Sequence, residues 1–70
     1  MELVYEIDER MLGKIEDGGP AGFYLFIFDP VSGRCTHDHL QDSLALALVQ
    51  AEEDYGLSKG NWKPQGQYRT

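Results

Sequence analysis

Phe23-Tyr24-Leu25-Phe26-Ile27-Phe28, followed by Asp29-Pro30-Val31-Ser32-Gly33, decides the fold. The run is aromatic and aliphatic throughout and apolar on both faces. Its bulky side chains suit a pleated surface, so it reads as a strand. In the residues that follow, Asp favours the first turn position and Pro presets φ at the second. Gly33 supplies the positive φ that returns the chain into a partner strand, Arg34 to about Leu40. A strand apolar on both faces reads as central, with a layer on each side.

Outward from this hairpin, Leu3, Tyr5 and Ile7 alternate with Val4, Glu6 and Asp8, which predicts a strand over 2–8. Arg10 to Glu16 is a second, weaker strand. Asp17-Gly18-Gly19-Pro20-Ala21-Gly22 is a loop, because three glycines and a proline hold no regular element. From Ser43 the period changes. Leu44, Ala47, Leu48, Ala51 and Tyr55 share one helical face, with Asp42 or Ser43 as N-cap and Gly56 as the left-handed residue after its end. Asn61-Trp62-Lys63 is expected to dock on the sheet or helix end, and Gln65 onward to fray.

These elements predict an α+β fold: a small antiparallel sheet of three to four strands with one helix on one face, in the order β-β-β-β-α, with a possible short C-terminal strand. Residues 1–64 form the single domain and 65–70 a frayed tail. At 70 residues, two-domain architectures and dinucleotide folds are too large. One cysteine excludes an internal disulfide and fits a reducing interior, so a cytoplasmic location is expected. The N-terminus has no signal-peptide pattern, and the longest apolar run is far short of the about 20 residues of a membrane span. A net charge of −6 argues against nucleic acid and anionic membranes as partners.

The helix is apolar on two sides. Ala45, Leu46 and Val49 point away from the core stripe, bordered by Asp42 and Glu53, where a solvated face would carry Glu, Lys or Gln. One sheet covers one side. The other predicts an association surface formed by these five residues, most simply a homodimer seam, since two-fold symmetry closes with a single patch. Trp62 folding over that side would be a different cover.

Residues 1–17 carry −4, residues 37–55 carry −5, and residues 56–70 carry +3. A basic tail folding back on Glu52, Glu53 and Asp54 would relieve anions crowded at the helix C-terminus. The same acidic face could instead steer a basic protein partner.

Cys35-Thr36-His37-Asp38-His39 holds every Cys and His of the chain. On a strand, Cys35, His37 and His39 share a face, but the first and last Cα atoms are about 13 Å apart. One ion cannot collect all three from a straight strand, so His37 and His39 remain as metal candidates needing further ligands. No cofactor is expected. Cys35 with His37 lacks a nucleophile elbow or oxyanion loop, the loop at 17–22 lacks a phosphate-cradle lysine, and the three consecutive acids fan over different faces. No catalytic residue is expected and the chain reads as no enzyme.

The stretch from Phe23 to Pro64 resembles small uncharacterised bacterial α+β proteins. Its carriers are the aromatic strand, the Asp29–Gly33 turn, His37-Asp38-His39-Leu40-Gln41-Asp42-Ser43, Ala51-Glu52-Glu53-Asp54-Tyr55-Gly56 and Asn61-Trp62-Lys63. Short acidic chains of this type also occur among toxin-neutralising immunity proteins. The resemblance implies a small bacterial domain and assigns no site residue. The functional expectation is thus a non-enzymatic interaction domain that self-associates through the outer helix face. The alternatives are an acidic inhibitor covering a basic partner, and a metal-binding protein using His37 and His39.

Overall fold

A computed structural model of the chain describes residues 2–64. Its elements are β1 (Glu2–Ile7), β2 (Arg10–Asp17), β3 (Phe23–Phe28), β4 (Cys35–Gln41), α1 (Leu44–Tyr55) and β5 (Lys63–Pro64). Single turns of 3-10 helix lie at Gly19–Ala21 and Lys59–Asn61. The sheet is antiparallel throughout, in the order β4-β3-β2-β1-β5. This is the expected α+β arrangement, with the short C-terminal strand present.

The β3–β4 turn closes as its residues dictate. Asp29 accepts from the Val31 N–H at 3.0 Å and from the Ser32 hydroxyl at 3.0 Å, while the Gly33 N–H donates to the Asp29 carbonyl at 2.8 Å. Gly33 has φ 75°, which a side chain would strain. The Val31 N–H and the Ser32 hydroxyl, in that order, hold the Asp29 carboxyl below the usual carboxylate range. The β1–β2 turn breaks the usual rule. Asp8 and Glu9 both have positive φ, 52° and 66°, in a two-residue link where Asn-Gly would be the comfortable choice.

Register builds the core in rows across the sheet. Leu3, Ile15, Leu25 and His39 form one row, and Tyr5, Gly13, Ile27 and His37 the next. Helix α1 lies over these rows, chiefly above β3 and β4. Ala47 and Ala51 are completely buried, and their small side chains let the helix axis approach the sheet. The helix begins where Ser43 Oγ accepts the Leu46 N–H at 3.2 Å. It ends at Gly56, φ 72°, where the Gly56 and Leu57 amides bond the Glu52 and Ala51 carbonyls. Leu57 is buried as the hydrophobic contact of that cap.

Trp62 docks as expected. Its ring meets Tyr5 edge-on at 5.4 Å and lies over Gly13, where an added Cβ would stand 2.8 Å from the indole. Asn61 Nδ2 donates to the Tyr5 hydroxyl at 3.3 Å. Trp62 therefore packs on the sheet and does not cover Leu46 and Val49.

The aromatic strand β3 is interior as expected, paired with β2 on one edge and β4 on the other, while the middle place goes to β2, whose pattern is diluted by Gly13 and Lys14. The expected layer on each side needs correction: the helix takes one face, and among the described residues no element lies over β3 on the other, where Val4 is buried, Tyr24 and Phe26 stack at 6.1 Å, and Leu40 is 51% exposed. The tail expected to fray lies outside the described residues.

Candidate association surface and histidine edge

The outer helix face contains the residues expected of it. Leu46 is 48% exposed, Ala45, Asp42 and Glu53 are exposed, and Val49 is half-buried. Its direction follows from a hydrogen bond. Gln41 Nε2, on β4, donates to Gln50 Oε1 at 2.7 Å, and Gln50 Nε2 donates to Asp54 at 3.4 Å. Gln50 thus marks the flank of α1 that faces the β4 edge. At 100° per residue, Leu46 and Glu53 follow about 40–60° further round, then Val49 and Ala45. Leu46 therefore sits between the β4 flank and the outermost line of the helix, Val49 faces away from the sheet, and Ala45 lies beyond it on the flank away from β4.

Strand β4 is the sheet's long open edge, since β5 at the other end has two residues. An open edge presents unpaired N–H and C=O groups, and proteins commonly guard one with lysine or proline. Strand β4 has neither; its guards are the single carboxylate of Asp38 and the irregularity beside Thr36. The strand is exposed over most of its length.

His37 and His39 extend the core rows onto this edge, on the helix face. Their rings are parallel within 3° at 6.4 Å, and both approach Tyr55, at 5.5 and 5.8 Å. His39 Nε2 is 2.7 Å from the Tyr55 hydroxyl, and His37 Nδ1 is 3.1 Å from Thr36 Oγ1. Cys35 does not join them. A register shift between Ile27 and Phe28 pairs Cys35 with Phe28 while His37 pairs with Ile27, which breaks the simple alternation along the strand. The exposed Cys35 thiol lies 3.4 Å from the His37 carbonyl, so its hydrogen bond is to backbone and not to the imidazole. Among the described residues, no three His, Cys, Asp or Glu side chains of one chain converge as a metal site.

The acidic helix end is met by backbone. The Lys59 N–H approaches Glu52 Oε2 at 3.5 Å, so the backbone of the turn after the helix faces that carboxylate, and Arg69 of the basic tail lies outside the described residues. The glycine loop at 17–22 leads into β3 rather than a helix. No described helix is long and apolar enough to cross a membrane.

Sequence reasoning missed two features. Tyr55 packs against the core as its spacing predicts, and its hydroxyl in addition reaches the histidine row, which the spacing does not show. Which face of β3 the helix covers is not legible, because six apolar residues carry no alternation to show it. Compared with protein-family models, curated proteins and solved structures, the chain matches none of them.

Proposed function

We propose that this chain is a non-enzymatic protein-interaction domain whose first partner is a second copy of itself, joined along the β4 edge and the adjoining flank of α1. The observation that supports this reading is an exposed Leu46 about 40° round α1 from Gln50, whose side chain bonds Gln41 on the open edge strand β4.

A two-fold axis beside β4 and perpendicular to the sheet would pair the two β4 strands antiparallel. That continues the sheet through both copies and satisfies the open backbone groups. It also lays the two α1 helices side by side on one face. With strands about 4.8 Å apart, helices centred between β3 and β4 would be separated by about 10 Å. Packed helices sit at about 8–10 Å. Leu46 then meets its counterpart beside Gln50, with Glu53 and Asp42 at the rim, while Val49 borders the seam on the outer surface and Ala45 lies on the flank away from it. For a core this small, the added burial is a direct gain.

Sedimentation equilibrium of the full chain tests this. The expected mass is twice 7.9 kDa, returning to one chain in Leu46→Glu with Val49→Glu, with the helical circular-dichroism signal retained. A wild-type protein that stays monomeric, or a folded double variant that still dimerises, overturns it.

A further inference from the structure

From the histidine row on β4 we infer a divalent-metal site of the zinc class, shared across the two-fold axis and built from His37 and His39 of both copies. The inference rests on the β4 pairing proposed above. Within one chain the two imidazoles are too few for a tetrahedral ion. The described residues add no third ligand.

The pairing supplies the rest when its register centres on Asp38. Directly opposite residues share a face in an antiparallel pair, so His37 then stands opposite His39 of the second copy, and His39 opposite its His37. Opposite Cβ atoms are about 4.5–5.5 Å apart, and alternate residues along the strand are about 6.6 Å apart. Four imidazoles therefore surround a space roughly 5 by 7 Å, on the helix face of the sheet. Zinc binds imidazole nitrogen at about 2.0–2.1 Å in tetrahedral geometry. The 6.4 Å separation of the two rings within a chain must close by tilting of the exposed His37 ring while its Nδ1 stays near Thr36 Oγ1.

Each imidazole already has the outer partner that metal-bound histidines use. In the tautomer that donates Nδ1–H to Thr36 Oγ1, His37 keeps a lone pair on Nε2. In the tautomer that donates Nε2–H to the Tyr55 hydroxyl, His39 keeps one on Nδ1. Thr36 and Tyr55 are thus positioning residues, leaving one free nitrogen per ring. The same register sets Asp38 opposite its copy on the other face. That like-charge pair weakens the metal-free dimer, so zinc is expected to tighten association between two chains that each carry −6.

Titration of the purified full chain with zinc chloride, and with cobalt chloride as a spectroscopic probe, tests the site. The expected result is one metal per two chains, an intense visible cobalt band of tetrahedral type, and a dimer tighter with zinc than with EDTA. His37→Ala and His39→Ala should each abolish binding. Tyr55→Phe should weaken it by about 10–100-fold while the fold is kept. A stoichiometry of one metal per chain, or binding that survives His37→Ala, overturns the site. A dimer that forms in EDTA yet binds no zinc overturns the site and leaves the dimer standing. A chain that stays monomeric with and without zinc overturns both.

Discussion

Replacing Gly13 with alanine tests the packing that ties the C-terminal segment to the sheet. A Cβ at this position would stand 2.8 Å from the Trp62 ring and 2.9 Å from Leu57 Cδ1. The leucine methyl can turn away. The indole is a rigid plate, 8% exposed and wedged against Tyr5, so β5 or the ring must shift. Gly13 has no positive φ, so backbone strain does not contribute and the contact acts alone. Overpacking of this kind costs about 1–3 kcal/mol, offset by about 0.4–1 kcal/mol from the stiffer unfolded chain. Mid-range values leave a net loss of about 1.3 kcal/mol, which lowers Tm by roughly 5–10 °C in a domain of this size. Thermal unfolding followed by far-ultraviolet circular dichroism reads it. Gly60→Ala is the control, because a Cβ there meets nothing; its change should stay within about 0.5 kcal/mol. In a double-mutant cycle, Trp62→Phe should absorb part of the Gly13→Ala loss as a coupling of about 0.5–3 kcal/mol. Equal or greater stability of Gly13→Ala would refute the assignment of Trp62 to this notch.

Three further outcomes follow from local geometry. Ser43→Ala removes the acceptor for the Leu46 amide and should cost about 1 kcal/mol in denaturant unfolding. Glu9→Gly relieves a positive φ of 66° and should raise stability by about 1 kcal/mol, the scale of the left-handed penalty. Asp29 has a folded pKa below its ordinary 3.8, so its contribution is full above that value and fades as pH falls through the folded pKa. Asp29→Asn should therefore flatten the acid limb of the stability profile below about pH 4, and an unchanged acid limb would show that the turn bonds do not act.

The parts of the fold legible in the sequence are those fixed by neighbours in the chain. Asp29-Pro30-Val31-Ser32-Gly33 specifies its own hairpin. Ser43 and Gly56 bound α1 through bonds within one turn of each end. Strand order was less legible, because β2 holds the middle through long-range pairing while its own pattern is interrupted by Gly13. That glycine makes sense only once Trp62, 49 positions later, is seen lying on it. The candidate surface divides in the same way. The excess of apolar residues on α1 is visible in the helical period. Its direction toward the open β4 edge depends on Gln41 meeting Gln50, and the hydroxyl partners of the histidines depend on Tyr55, sixteen residues beyond His39. Helical spacing alone places Tyr55 in the core stripe, and only the packed structure shows its ring end at the histidines.

The single native cysteine allows the central claim, pairing of two copies along β4, to be measured directly. Cys35 is exposed and lies three residues from Asp38. In a β4 pair centred on Asp38, the two Cys35 Cα atoms are six strand rises apart, about 20 Å. A nitroxide label on Cys35, read by pulsed dipolar electron spin resonance, should give a narrow distribution consistent with that spacing and lose it in Leu46→Glu with Val49→Glu. A dipolar signal corresponding to a separation beyond about twice that value, or none at concentrations where the mass is doubled, would contradict the pairing.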